Sequence, residues 1–375
     1  MKKDSKIYVA GHTGLVGSAF TKVLIKNGYT NLLLRTHNDL DLTDCVKVAE
    51  FFEKEKPEYV FVGAAKVGGI VANNKYRADF IYENLMIQNN IIHESYINKV
   101  KKLLFLGSTC IYPVNCELPI KEDYLLSGVL EYTNEPYAIA KIAGIKMCES
   151  YNLQYGTNFL TAMPTNLYGP NDNYNLEKSH VLPALIRKIH LGHALESDNW
   201  NIIQQDLNNY PIEGLTGNSS KNEILKILSK YGVSLIKDEN DKASVKIEIW
   251  GSGKALREFL YSSEFAEACL FIMENIDFAD LSKTINSTEI RNTHINIGTG
   301  KEISIKDLAY LVKETIGFKG ELYFNTNKPE GTLRKVIDCQ KLKKLGWQYS
   351  IEIEEGIKKV YQQYQKKHSF QIINS

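Results

Sequence analysis

The segment that most constrains this 375-residue chain lies near its start. Ile7 to Ala10 form a short apolar run. Gly11, Gly14 and Gly17 follow at intervals of three, and Phe20, Val23, Leu24 and Ile25 then recur with helical spacing. A strand that turns through glycines directly into a helix is the opening of a dinucleotide-binding βαβ unit. The first glycine permits the tight turn, the second lets a pyrophosphate approach the backbone, and the third lets helix and strand pack closely. The helix N-terminus then favours phosphate charge. Spacing alone is a weak signal, because a glycine-rich turn can also be free of ligand.

The alternation continues downstream. Apolar runs predict strands at 31–35, 59–62 and 102–107, and helical spacing predicts helices at 46–52, 87–96 and 137–151, with Asp44 near the cap of the first. Strands that are apolar throughout and separated by helices imply a parallel sheet covered on both faces, the doubly wound α/β (Rossmann) class. The later chain is less regular, with a helix at 305–316, a strand around Leu322 and Phe324, and a helix at 353–364. Residues 195–244 look inserted. They are polar and Asn-rich, with one strong helix start, Ser219-Ser220-Lys221-Asn222-Glu223, ahead of Ile224, Leu225, Ile227 and Leu228.

We therefore expect a dinucleotide-binding domain over 1–170, to which segments around 255–300 return. A smaller α/β substrate-binding lobe is expected over 171–375, including the insert. About 50 residues are marginal for an independent core, so the insert is expected to act as a substrate-side cover, with a solvated ornament as the alternative.

Several function classes are disfavoured. Basic and acidic side chains number 45 and 44, and the net charge of +1 offers no field for nucleic acid. The six cysteines form no CxxC pair, so neither a metal site nor a disulfide framework is expected, and a cytoplasmic location fits. No apolar run reaches the length of a membrane span, and the first strand is too short for a secretory signal.

The chemistry is carried by Tyr137 and Lys141. A spacing of four puts both on one helix face, where a lysine beside a phenol is expected to lower its pKa for proton transfer. The lysine can also hold the nicotinamide ribose. Ser108, just past the strand at 102–107, can hydrogen-bond a carbonyl oxygen. A lone YxxxK is common, but glycine loop, strand-Gly-Ser and YxxxK in that order are not. Arg35 ends the second strand, where a basic residue favours the 2′-phosphate of NADP(H) over NAD(H). By their residue types alone, Cys110 and His180 read as ordinary core or surface side chains.

Longer strings sharpen this. Residues 64–74 (AAKVGGIVANN), 104–113 (LFLGSTCIYP), 134–144 (NEPYAIAKIAG), 163–170 (MPTNLYGP), 179–184 (SHVLPA), 250–253 (WGSG) and 257–260 (REFL) resemble the extended short-chain dehydrogenase/reductase family, and within it the GDP-L-fucose synthases. The resemblance implies NADPH-dependent reduction at C4 of a GDP-linked 4-keto-deoxy sugar, after epimerisation at C3 and C5, by a homodimer. It makes Tyr137 the proton donor with Ser108 and Lys141 beside it, and Cys110 and His180 the epimerising acid/base pair. It lays the cofactor along Ala64, Leu106, Gly107, Pro164, Asn166, Leu167 and His180. It puts Lys188 (arginine in the family), Trp250, Arg257 and Glu330 (aspartate in the family, followed by Lys335) at the nucleotide-sugar.

The sequence departs from the family at Thr13 and His37, where arginines stand, and at Tyr261-Ser262-Ser263-Glu264. With the insert ahead of Trp250, these differences leave open a related sugar such as a heptose, and a reductase without epimerase activity. A 4,6-dehydratase would need a carboxyl group after Thr109, where Cys110, Ile111 and Tyr112 stand. A non-catalytic dinucleotide sensor would not need the Tyr/Lys pair.

Overall fold

A computed structural model describes residues 1–237, 243–283, 285, 287–329 and 331–369. In chain order the strands are β1 (Ile7–Ala10), β2 (Leu32–Leu33), β3 (Tyr59–Val62), β4 (Lys102–Leu106), β5 (Phe159–Pro164), β6 (Asn166–Tyr168), β7 (Val233–Lys237), β8 (Ala243–Trp250), β9 (Leu256–Arg257), β10 (Phe259–Tyr261), β11 (Ile295–Ile297), β12 (Ile303–Ser304), β13 (Glu321–Asn325) and β14 (Arg334–Lys335). The helices are α1 (Leu15–Lys26), α2 (Cys45–Glu55), α3 (Ile70–Lys75), α4 (Arg77–Ile97), α5 (Glu135–Tyr155), α6 (Val181–Glu196), α7 (Trp200–Asn209), α8 (Lys221–Lys230), α9 (Ser262–Asn275), α10 (Phe278–Ser282), α11 (Ile305–Ile316), α12 (Gln340–Lys344) and α13 (Ile353–Ser369).

The chain divides into two compact units. The first comprises Met1–Asn171, Glu258–Lys301 and Lys335–Ile351, and the second comprises Asp172–Arg257, Glu302–Arg334 and Glu352–Ser375.

The first unit is built on a six-stranded sheet ordered β11-β5-β4-β3-β1-β2, in which every pairing is parallel. Successive strand residues point to opposite faces, and both faces are apolar. Ile7, Val9, Phe61, Leu104 and Leu106 pack with α1 and α9 residues such as Phe20 and Phe265. Tyr8, Val60, Val62, Leu103 and Phe105 pack with Phe52 of α2, Ile91 of α4 and Ile145 of α5. That double burial is why the strands read as unbroken apolar runs, and it is the doubly wound α/β architecture expected from them. Asp44 caps α2, accepting from the N–H groups of Val46 and Lys47.

In the second unit, β8 pairs antiparallel with β7 and parallel with β13. Ser220 and Glu223 form a reciprocal capping box at the start of α8, as the sequence predicts. The rest of the expected insert differs from that reading. Its first two residues end α6, and it supplies a further helix, α7, and the strand β7. Residues 238–242 of it lie outside the described residues.

Helix α7 is bound into the unit by charge. Arg187 of α6 and Asp206 of α7 are both fully buried. Arg187 Nε donates to Asp206 Oδ1 at 2.9 Å, its Nη1 donates to the Tyr174 carbonyl at 3.0 Å, and its Nη2 donates to the Tyr210 carbonyl. The Tyr364 hydroxyl of α13 donates to the other Asp206 oxygen. The segment is thus part of this unit's core and not a solvated ornament.

Candidate active site

At the carboxyl end of β1, Gly11 takes φ +77°, and a Cβ there would lie 2.8 Å from the Ala64 backbone. A Cβ on Gly17 would lie 2.0 Å from the Gly11 carbonyl oxygen. Packing therefore dictates both glycines. Gly14 is different, because a Cβ there would meet only the Gly11 oxygen, at 3.6 Å. Gly14 is also the N-cap of α1, and no side chain caps that end. The first amides of α1 thus keep no intrahelical partner, next to a bare backbone that packing does not require. Such a cradle fits a diphosphate. It sits where the strand order reverses between β2-β1 and β1-β3, the place where open α/β sheets bind ligands.

Arg35 lies just past β2. Its Nη2 pairs with Glu55 Oε1 at 2.9 Å, its Nη1 donates to the Leu34 carbonyl at 3.0 Å, and its guanidinium carbon lies 5.6 Å from the Phe51 ring centroid. The side chain remains 35% exposed. A 2′-phosphate reaching this guanidinium would share it with Glu55.

Four of the expected catalytic residues meet at the end of β4. Ser108 begins a 3₁₀ turn over Thr109–Ile111, and its Oγ accepts from the Cys110 N–H at 3.4 Å. Tyr137 and Lys141 project from the first turns of α5. Lys141 is buried, and its Nζ donates to the Leu106 carbonyl at 2.9 Å, joining the helix to the strand end. The same ammonium lies 4.7 Å from the Phe105 ring centroid and 5.7 Å from that of Tyr137. Phe80 packs edge-on against the Tyr137 ring.

The electrostatics differ from the expectation that Lys141 lowers the phenol pKa. Burial pushes the Tyr137 pKa up, with the charge of an ionised Cys110 adding to the rise. Burial also pulls Lys141 down to about 8, against a smaller opposing effect of Cys110. Desolvation outweighs an ammonium that does not touch the phenol oxygen. A phenol held protonated in this way is suited to donate a proton. The Cys110 thiol is raised by burial, and the opposing influences are, in order, Lys335, a hydrogen bond with Ser108, and Lys141.

The nearby cofactor candidates also belong to the first unit. Leu106 ends β4 and Gly107 directly follows it, Pro164 ends β5, and Asn166 and Leu167 lie in β6. Asn166 Nδ2 donates to the Glu258 carbonyl at 2.8 Å.

The remaining candidates lie in the second unit. His180 is the N-cap of α6 and is exposed, yet neighbouring protein crowds it enough for desolvation to lower its pKa. Lys188 Nζ donates to the Glu248 carbonyl at 3.2 Å, and burial brings its pKa down to about 8. Trp250, at the end of β8, is 48% exposed with Lys328 Nζ 5.5 Å from its ring centroid. Arg257 Nη1 donates to the Leu256 carbonyl at 2.8 Å. Glu330 lies outside the described residues. Glu258 is the polar residue that residue types alone did not single out. It is a fully buried carboxylate, and the only signal for it was its place in the string Arg257-Glu258-Phe259-Leu260.

Known proteins resemble the chain over most of its length. Residues 7–206 and 222–298 match the model of the NAD dependent epimerase/dehydratase family. The chain is 44% identical over 364 residues to GDP-L-fucose synthase 1 of Arabidopsis thaliana, an alignment that covers 97% of this chain and 94% of that one. Among solved structures, a GDP-6-OMe-4-keto-L-xylo-heptose reductase from C. jejuni is 48% identical, with a TM-score of 0.89, covering 98% of this chain and 99% of the other. A GDP-D-glycero-L-gluco-heptose synthase from Campylobacter jejuni, solved in the presence of NADPH, is also 48% identical, with a TM-score of 0.87 and coverage of 97% and 99%.

Proposed function

Because the chain belongs to the NAD-dependent epimerase/dehydratase family, we propose that it is an NADPH-dependent C4 reductase of a GDP-linked 4-keto-deoxy sugar that first epimerises C3 and C5. The observation that carries this reading is the meeting of Ser108, Cys110, Tyr137 and Lys141 at the end of β4. NADPH, when bound, supplies the hydride that reaches C4. The glycine cradle, Lys141 and the β5–β6 segment would hold it. Tyr137, kept protonated by burial, gives its proton to the C4 oxygen, and Ser108 donates a hydrogen bond to the same atom.

Epimerisation uses the same oxygen. The C3 and C5 hydrogens flank the C4 ketone, so removing either leaves an enolate whose charge rests on that oxygen, where Ser108 and Tyr137 stabilise it. Inversion needs a base on one face and an acid on the other, and Cys110 and His180 fill these roles in our reading. Their ordinary pKa values, about 8.5 and about 6.5, bracket neutrality. In this reading Lys188, Trp250, Arg257 and Glu330 bind the nucleotide-sugar. The protein is cytoplasmic and acts as a homodimer in this reading. The exposed apolar residues Tyr82 and Ile97 on α4 and Ile139, Leu153 and Tyr155 on α5 support the dimer. No described helix is long and apolar enough to cross a membrane.

A second reading, C4 reduction of a related GDP-4-keto sugar such as a heptose without epimerisation, is favoured by one feature. Burial holds the Cys110 thiol protonated, as a redundant side chain would be. Incubating the enzyme with a GDP-4-keto sugar in D₂O without NADPH separates the two. Deuterium is expected to enter at both C3 and C5, and to be lost in Cys110→Ser. No exchange, with C4 reduction once NADPH is added, establishes the reductase alone.

The 2′-phosphate preference is expected to be modest, because Arg35 is shared with Glu55 and no arginine stands at 13 or 37. Arg35→Ala should lower the NADPH-to-NADH ratio of kcat/KM by about one to two kcal/mol, the scale of one charge-assisted hydrogen bond. An unchanged ratio would remove Arg35 from cofactor selection.

A further inference from the structure

Strand β8 alternates along its length. Val245, Ile247 and Ile249 are buried, whereas Lys246 and Glu248 are half-buried and Trp250 is exposed. Such alternation turns one face of a strand inward and the other outward. In the parallel pairing with β13, Tyr323 stands opposite Glu248 and Asn325 stands opposite Trp250. The outward face therefore carries a square of side chains, with aromatic rings on one diagonal and a carboxylate and an amide on the other.

The polar diagonal is oriented. Asn325 Oδ1 accepts from the Asn327 N–H at 3.1 Å, which leaves its Nδ2 to donate to Glu248 Oε1 at 3.2 Å. The Lys188 ammonium bonds the backbone carbonyl of Glu248 and not its carboxylate. A carboxylate accepts about four hydrogen bonds, so both oxygens keep capacity for further donors. On the aromatic diagonal, Lys246 Nζ lies 4.2 Å from the Tyr323 ring centroid and covers that ring. Trp250 is the more exposed of the two. Lys328 N–H donates to the Asn325 carbonyl at 3.1 Å, and this turn sets the Lys328 ammonium beside the indole.

A nucleobase of any kind can stack on an aromatic plane. The carboxylate is selective. Guanine presents it with two adjacent donors, N1–H and the exocyclic amino group. Adenine and cytosine set a bare ring nitrogen beside their amino group, and uracil flanks its one N–H with carbonyl oxygens. Each of these turns an acceptor toward a group that only accepts. The ammonium beside the ring suits the diphosphate that follows the base.

We propose that Glu248, oriented by Asn325, reads the guanine base of the substrate while that base stacks on Trp250. The inference rests on the reading that the nucleotide-sugar binds at Trp250. The two carboxylate oxygens take the two guanine donors in a charge-assisted pair, and other bases are rejected by acceptor facing acceptor. In Glu248→Gln, Asn325 Nδ2 holds the amide oxygen and turns the amide NH₂ toward the base, donor against donor.

Nucleotide binding to the full-length protein, measured by titration calorimetry with NADP⁺ present, tests this. IDP lacks the exocyclic amino group, and 1-methyl-GDP lacks the N1 proton. The parent is expected to bind GDP at least about tenfold more tightly than either, the scale of one hydrogen bond to a charged group. Glu248→Gln should bring the GDP-to-IDP affinity ratio toward one. Asn325→Ala should lower it by a smaller factor, because the carboxylate is kept but no longer oriented. The comparison of nucleotides on the parent stands even if a variant does not fold. Equal affinity of the parent for GDP, IDP and 1-methyl-GDP would overturn the proposal. So would a loss of GDP and IDP affinity in equal proportion in Glu248→Gln, or a ratio that the substitution leaves unchanged. In each of those cases turnover of a GDP-4-keto sugar by the parent keeps the C4 reductase reading intact. A parent that binds none of these nucleotides and turns over no GDP-4-keto sugar would defeat that reading and this proposal together.

Discussion

Replacing Tyr137 with phenylalanine is expected to leave NADPH binding near normal and to lower turnover by at least ~10²-fold, the lower bound for losing a positioned general acid. The ring would stay where it is. It packs edge-on against Phe80, and Lys141 is held by the Leu106 carbonyl and not by the phenol oxygen. The substitution therefore removes a proton donor and little else. Initial rates with a GDP-4-keto sugar, alongside fluorescence titration of NADPH, test both halves. Turnover within a few-fold of the parent would remove Tyr137 from the proton-donor role. A parallel loss of NADPH affinity would show that the hydroxyl acts in binding.

The second large effect is on stability. Asp206→Ala should destabilise the protein by about 3–5 kcal/mol, the usual cost of removing one partner from a buried ion pair. Arg187 would be left charged and fully buried, and Tyr364 would lose its acceptor. Asp206→Asn is expected to cost less, because it keeps an acceptor for Arg187 Nε. Denaturant melts of the two variants against the parent measure this. A loss below about 1 kcal/mol for Asp206→Ala would mean that the pair is solvated in solution, as exposed pairs are. The same argument bears on the whole 195–244 segment. Deleting it takes Asp206 from the core, so such a deletion would report on folding before it could report on sugar binding.

Much of the first unit was legible because its strands are buried on both faces, which leaves unbroken apolar runs bounded by glycines. The 59–62 strand and the start of α11 at Ile305 fall where the sequence puts them. The strand after α1 is only Leu32–Leu33, shorter than its apolar run, because Leu34 and Arg35 leave the ladder once β2 has paired with Ile7 and Tyr8. Helix α4 begins ten residues before the predicted start, at Arg77, because the buried Asn84 on that part of it dilutes the apolar repeat. Helix α7 was missed for a related reason. Its inward face includes Asp206, a charge that pattern reading assigns to solvent and that is stable inside only with Arg187.

At the site, the residue types that met at β4 were readable from order and spacing, but the sign of the Tyr137 shift was not. Spacing shows that Lys141 is near the phenol, whereas the balance between its charge and burial depends on where Nζ points. Glu258 was invisible for the same reason. Its shortest hydrogen bonds come from backbone amides, which carry no sequence signature.

The path of the chain has a consequence for how the protein is made. The polypeptide passes between the two units at 171–172, 257–258, 301–302, 334–335 and 351–352. Strand β11 borders β5 in the central sheet, and Ile337 completes the donor set of Glu258, yet both are translated long after β1 to β5. During synthesis the first five strands therefore wait with an open sheet edge, and Glu258, once made, still waits for Ile337 as a donor. Contacts so distant in sequence are formed late and slowly, and an exposed strand edge is the usual starting point for aggregation. Ribosome release, more than the order of the domains, then sets when this protein can first become native, and chains ending before Ile351 should depend on chaperones for as long as they exist.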